Sequence, residues 1–281
     1  MSLFKVDLEK CVRCGACAAE CPSQIIGVDE QKGPMRQNKR TCIACGHCVA
    51  VCPTAALDNR RSPLAEHVEL GEWSLPSEDE MEKLLRSRRS VRAYHDKTVE
   101  PEKLRKLLEL ARYAQTAGNS QGLSFISISD RSFIKEIVEA VVCWLERLIA
   151  QDDDRAQYLA GVVGHWREHG YDSILRGAPN LLVAIAPAEH KNAESNCSFV
   201  WSYAELFAPA LGLGTCIAGF TQRCAFQGDE RLLALLDLPD NMKVAGVLMV
   251  GYPRFKYKRL PPRQPLKMYT FSMGVKTIDF E

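Results

Sequence analysis

The chain has 281 residues, enough for one large unit with a small one or for two of medium size. Its hydrophobic share of 46%, charged share of 25% and formal charge of +1 are those of a globular chain, with no support for nucleic acid or an anionic membrane surface as partner. No run reaches the roughly eighteen apolar residues of a membrane helix, and the opening MSLFKVDLEK lacks the apolar stretch of a signal peptide, so a cytoplasmic location is expected.

Twelve cysteines would suit a disulfide scaffold in a secreted protein, but eight of them fall in two tight motifs. CVRCGACAAECP begins at Cys11, and CIACGHCVAVCP repeats its spacing 31 residues later. The pattern C-x2-C-x2-C-x3-C-P puts three soft thiolates on one short loop and leaves a fourth to come from elsewhere, as an iron–sulfur core requires. Zinc is the competing reading, but it pairs two C-x2-C hooks at a distance and would leave one ligand over. In the bacterial two-cluster arrangement the last cysteine of each motif serves the other motif's cluster. That assigns Cys11, Cys14, Cys17 and Cys52 to one 4Fe-4S cluster and Cys42, Cys45, Cys48 and Cys21 to the second. Gly15 and Gly46 relieve crowding where backbone approaches the cluster sulfurs, and His47 is read as solvent-facing. The segment closely resembles the bacterial-type ferredoxin with two 4Fe-4S clusters, and the expected ferredoxin-like domain spans 1–59.

Between the motifs, SQIIGVDEQKGPMRQNKR reads as two short strands around a Lys-Gly-Pro turn. Residues 60–76, with two prolines, a glycine and little periodicity, are expected to be a linker. A second domain is then expected over 77–281. It starts with a capping box, Ser77 to Glu80, leading into a short helix with Met81, Leu84 and Leu85. Four arginines within seven residues follow, more than a helix dipole needs at its C-terminal end; guanidinium forks suit phosphate and the carbonyl edge of a flavin. Leu104, Leu107, Leu108 and Ala111 then mark an amphipathic helix with Pro101 in its first turn. It runs into the polar loop QTAGNSQ and the strand LSFISIS.

RRSVRAY, AQTAGNSQ, APNLLVAIAP, AELFAPALGLGTCIAGF and LPDNMKVAGVLMVGYPR occur in the order and at the spacing of landmarks in the nitroreductase family of FMN enzymes. The resemblance covers roughly 78–270. It implies an α+β sandwich whose mostly antiparallel central sheet is flanked by helices, and an intertwined homodimer with FMN at the subunit interface. Carried across by position, it implies Arg88, Arg89, Ser90 and Arg92 as the first FMN-binding stretch. Arg88 and Ser90 would lie toward the ribityl-phosphate and Arg92 toward the pyrimidine edge. Thr116, Asn119 and Gln121 match the family's polar loop, Ala218 and Gly219 the backbone near flavin N5, and Arg259 or Lys256 a basic phosphate stretch. Gly122-Leu123 stands where the family has proline-tryptophan, which should alter the pocket wall. GLGTCIAG lacks the strand and third glycine of a dinucleotide fingerprint.

Cys197, Cys216 and Cys143 read as small core hydrophobes, and Cys224 lies close to the flavin stretch. The polar, poorly periodic segment 144–175 is expected to be a lid over a substrate. No protein nucleophile is needed, since the chemistry would sit on FMN N5. Two one-electron clusters and one two-electron flavin match in electron count. The expected activity is an oxidoreductase passing electrons from the clusters to FMN and on to a small organic acceptor of nitro, quinone or enone type. Reduced ferredoxin or NAD(P)H is the expected donor. Two other readings fit the motifs: NAD(P)H oxidation with the clusters as outlet, and a non-enzymatic electron carrier.

Overall fold

The 31-residue repeat of the cysteines is also a repeat of backbone shape. In the computed structural model, which describes residues 2–151, 155–272 and 275–280, Arg13, Gly15 and Gln24 adopt left-handed φ angles of 54°, 78° and 51°. Their counterparts Ala44, Gly46 and Ala55 do the same at 55°, 77° and 51°. Alternating right- and left-handed residues turn successive N–H groups toward one centre, which makes a nest for negative charge. Around these turns lie β1 (Phe4–Val6), α1 (Ala16–Ala19), β2 (Ile26–Asp29), β3 (Gly33–Arg36), α2 (His47–Ala50) and β4 (Leu57–Asn59). β1 pairs antiparallel with β4, and β2 with β3 as the sequence predicts. Phe4, Ile25, Ile26, Val49 and Leu57 fill a small core against Cys17 and Cys48.

The chain leaving β4 folds back over the second repeat. Leu64 N–H donates to Asp58 Oδ1 at 2.9 Å, Ser62 Oγ lies 3.0 Å from His67 Nε2, and a side chain at Gly46 would stand only 2.8 Å from that Oγ.

The larger unit opens with α3 (Glu78–Ser87). Its capping box is the predicted one: Ser77 Oγ accepts from Glu80 N–H at 3.3 Å and Ser77 N–H donates to Glu80 Oε2 at 2.9 Å. α4 (Pro101–Ala111), β5 (Ser124–Ile128), α5 (Arg131–Ala150), α6 (Ala156–His169), β6 (Asn180–Pro187), α7 (Ala193–Phe207), β7 (Gly214–Ile217), α8 (Gly219–Phe226), α9 (Glu230–Leu236) and β8 (Met242–Gly251) follow. β9 (Lys267–Ser272) and β10 (Val275–Phe280) form a separate hairpin. Strands order β5-β6-β8-β7, every neighbour antiparallel, so the expected α+β sandwich is what forms.

β6 is buried on both faces, and its side chains divide with a period of two. Leu181, Val183 and Ile185 pack with α5, while Leu182, Ala184 and Ala186 pack with α4 and α7. Leu107, fully buried on α4, contributes about 1.5–3 kcal/mol by burial alone. On β8 the alternation slips: Val244 and Val247 share a face because the register with β6 shifts between Ala184 and Ile185. Gly246 sits at that slip, where a Cβ would lie 2.6 Å from Cys197 Sγ, so its bareness lets α7 approach.

The lid expected at 144–175 is not there. Apart from residues 152–154, which lie outside the described residues, the segment is the end of α5, all of α6 and a tight turn. Trp144, Leu145, Leu159, Val162, Ile174 and Leu175 are buried in the main core. Its polarity comes from ion pairs joining the helices, since Arg167 reaches Glu139 at 2.7 Å and Glu146 at 2.8 Å. Cys143 is likewise only half-buried, with Arg231 Nη1 3.0 Å from its sulfur.

Candidate functional site

The eight motif cysteines surround two cavities. Cys11, Cys14, Cys17 and Cys52 line one, and Cys21, Cys42, Cys45 and Cys48 line the other. Each cavity thus takes three cysteines from one motif and the fourth from the other. None is in a disulfide, and among the described residues no three of them converge closely enough to share a single metal ion. Thiols standing around a hole suit a multi-atom inorganic core and not one zinc ion.

N–H groups point at the sulfurs. Ala44 N–H donates to Cys42 Sγ at 3.4 Å and Ala56 N–H to Cys52 Sγ at 3.2 Å. Burial raises the thiols of Cys17 and Cys48; at Cys52 burial acts the same way, but backbone N–H bonds from Thr54, Ala56 and Leu57 outweigh it and hold the thiol below its ordinary value. The Asn59 amide, missed in the sequence, donates to Cys42 Sγ at 3.8 Å and Cys48 Sγ at 3.6 Å.

The arginine stretch is laid along β7. Ser90 forms a parallel bridge with Thr215, and Val91 N–H donates to the Thr215 carbonyl at 2.8 Å. The approach is close enough that a side chain at Gly214 would stand 2.6 Å from Val91. Arg88 ion-pairs with Glu205 of α7 at 3.4 Å, Arg89 caps the Arg86 and Arg88 carbonyls at 2.6 Å, and Arg92 bonds the Ser90 carbonyl at 3.3 Å. Burial raises the Glu205 carboxyl above its ordinary range against the pull of Arg88. The same strand leads into Ala218, the N-cap of α8, and Gly219, its first residue, with no side chain capping the first N–H groups. A Cβ on Gly219 would meet nothing within 4 Å, and the Thr221 hydroxyl in that first turn is buried with no partner. Bare N–H groups over open space beside a guanidinium stretch fit an anionic ligand with an acceptor-rich ring edge, as a flavin mononucleotide has.

Arg254 N–H donates to the Ala93 carbonyl at 2.9 Å, so the basic segment starts beside this stretch. Lys256 and Arg259 are exposed farther along it.

The polar loop lies against the cluster unit. Thr116 Oγ1 accepts from Gln121 N–H at 3.1 Å, and the Asn119 amide donates to the carbonyls of Ile43 and Ala44 at 3.0 and 3.1 Å. Those carbonyls sit between Cys42 and Cys45. Asn119 Oδ1 accepts from Gln121 Nε2 at 3.2 Å, so the side chain spans from the expected flavin loop to the second thiolate site. Behind it, buried Asn196 accepts from Ala117 N–H at 2.9 Å and donates to Ser120 Oγ at 3.1 Å.

Residues 3–53 match the 4Fe-4S dicluster domain model. An Archaeoglobus fulgidus protein named, provisionally, as an NADH dehydrogenase/NAD(P)H nitroreductase is 27% identical over 63% of this chain and 87% of its own length. FMN reductase (NAD(P)H) of Bacillus subtilis is 26% identical over 65% of this chain and 70% of its own. A nitroreductase with bound FMN from Bacteroides fragilis shares the fold, with a TM-score of 0.50, 24% identity, and coverage of 69% of this chain and 98% of its own. The expected cofactors, FMN and two 4Fe-4S clusters, agree with these matches. The Nitroreductase family model matches residues 85–252, more than half of the chain, from the arginine stretch through β8. With this sheet, this order of landmarks and this match, the chain belongs to the nitroreductase family and carries a 4Fe-4S dicluster domain ahead of it.

Proposed function

We propose that the chain is an FMN-dependent oxidoreductase whose N-terminal thiolate sites hold two 4Fe-4S clusters and exchange electrons with the flavin for the reduction of an organic acceptor of nitro, quinone or enone type. The observation that carries this reading is the Asn119 amide, bonded at 3.0 and 3.1 Å to carbonyls between two cluster cysteines. It ties the expected flavin loop to the second thiolate site. FMN, when bound, supplies the conversion between one- and two-electron chemistry.

The protein's own residues hold and orient. Arg88, Arg89 and Ser90, with Lys256 and Arg259, provide donors for the phosphate. Arg92 would supply positive charge to the pyrimidine side of the ring, and the backbone at Ala218 and Gly219 would line the ring beside it. Thr116 and Asn119 lie on a loop that would contribute to a homodimer interface, where a second copy would complete the site. A second reading has a specific support: two curated relatives are named for NAD(P)H, which fits hydride entry at the flavin with the clusters as outlet.

Anaerobic mixing of the loaded full chain with reduced ferredoxin, NADH or NADPH separates the readings, with flavin and cluster absorbance followed together. Flavin bleaching by reduced ferredoxin, preceded by cluster bleaching, is the expected result. Rapid bleaching by NADH or NADPH with clusters reduced last would transfer the assignment to the second reading. No electron exchange between clusters and flavin with any donor would end both.

A further inference from the structure

Shifting the first repeat by 31 residues lays Cys11, Cys14, Cys17 and Cys21 on Cys42, Cys45, Cys48 and Cys52, and places Val28 on Asn59. Both side chains line the cavity of their own half, Val28 with Cys11, Cys14, Cys17 and Cys52, Asn59 with Cys21, Cys42, Cys45 and Cys48. The two halves thus differ at one matched place in what faces the thiolates. Val28 offers only C–H groups. Asn59, 1% exposed, donates its amide to Cys42 Sγ at 3.8 Å and Cys48 Sγ at 3.6 Å.

We infer that Asn59 sets the redox poise of the second thiolate site, making it the more easily reduced of the two. The inference rests on the reading of the cavities as 4Fe-4S sites. Reduction adds one electron, from a donor that loses one, and no bond forms or breaks. The added negative charge spreads onto the ligand sulfurs, so a fixed donor to those sulfurs stabilises the reduced form. Asn59 is well fixed: its Oδ1 accepts the Arg61 N–H at 3.0 Å, and the Arg61 guanidinium bonds the Cys42 carbonyl, bringing a positive charge to the same site. Solvent at the exposed Cys14 also stabilises added charge at the first site. Water there must reorganise with each change of charge, whereas the Asn59 dipole already points at the sulfurs. The more oxidising half is then the one whose Ile43 and Ala44 carbonyls hold Asn119.

The test is a redox titration of the loaded full chain with the clusters read by EPR at each poised potential. The parent should show two one-electron steps. Asn59→Val should lower the upper step, cutting the reduced-to-oxidised ratio at fixed potential roughly tenfold, which is about 59 mV for a one-electron couple, and leave the lower step in place. Asn59→Asp keeps the acceptor for Arg61 N–H and removes the donor, so it should also lower the upper step. Val28→Asn should raise the lower step. Coincident steps in the parent, an unmoved upper step in Asn59→Val, or a shift confined to the lower step would overturn the inference. If Asn59→Val takes up no iron, Val28→Asn decides, and an unmoved lower step there counts against it. These shifts are read without the flavin, so a chain that titrates as expected yet passes no electrons to FMN defeats the proposed function and leaves Asn59 its role.

Discussion

Replacing Asn119 by Asp changes one atom of the link between the two units. The parent amide nitrogen donates to two carbonyls, Ile43 at 3.0 Å and Ala44 at 3.1 Å. Aspartate keeps the Oδ1 that receives Gln121 Nε2, and it tolerates the left-handed backbone of this position, φ 54°. It puts an acceptor where two acceptors already wait. Two neutral hydrogen bonds lost, at about 0.5–1.5 kcal/mol each, remove about 1–3 kcal/mol of docking, or roughly 5- to 150-fold in the ratio of docked to undocked loop. Hydrogen exchange of the full chain reads that ratio directly. Amides in 41–46 and 116–121 should exchange faster by up to that factor, while β6 and β8 in the core hold their protection. Asn119→Gly, which suits the same backbone and deletes the side chain, should reproduce the effect without added charge. Reduction of the flavin by reduced ferredoxin should slow in both variants. Unchanged exchange in both segments would refute the argument that Asn119 holds the loop to the cluster unit.

The crossed ligands give a sharp test: Cys21→Ser should take iron from the site of Cys42, Cys45 and Cys48 and spare the site of its own motif, lowering total iron from about eight to about four per chain. Removing a charged contact to phosphate or ring edge costs about 1.5–3 kcal/mol, so Arg88→Ala and Arg92→Ala should each weaken FMN about ten- to a hundredfold by fluorescence titration. Parent-like affinity in both would mean that the arginine stretch is not the flavin site. Burial raises the Glu205 carboxyl, so the folded chain keeps a proton there that the unfolded chain has released. Its contribution to stability is full below the ordinary carboxylate value of 4.5 and is lost as pH rises through the raised value. Melting temperatures from pH 4.5 to neutral should therefore decline more steeply for the parent than for Glu205→Gln, and parallel curves would show that Glu205 ionises normally.

Elements written in local spacing could be read from the chain alone. The cysteine intervals define which thiols line each cavity, the Ser77–Glu80 pair defines the start of α3, and the Lys-Gly-Pro turn between two short runs defines the β2–β3 pair. Pairings across long separations could not be read this way. Asn119 finds Ile43 76 residues back, and Arg88 finds Glu205 117 residues on; no periodicity encodes either. Segment 144–175 looked like a lid because charge was counted without knowing that Arg167 and its two glutamates face one another across α5 and α6. Cys143 joined the same misreading, since the arginines near its sulfur come from α6 and α9. Asn59 did leave a signal, visible once the 31-residue shift is carried beyond the last cysteines to β2 and β4.

Crossed ligation, as proposed for these cysteines, would also bear on how the N-terminal unit is made. As the chain emerges during synthesis, Cys11, Cys14 and Cys17 come first but wait for Cys52, and Cys21 waits for Cys42, Cys45 and Cys48. Neither cavity is complete until most of the unit is outside the ribosome, so iron should enter both sites within one narrow interval. The same interdependence works in reverse. Oxidative damage to either set of four frees a cysteine that belongs to the other motif's loop, loosening the neighbouring site as well. Chains that have lost one set of irons should therefore keep the other, but release it more readily than intact chains do.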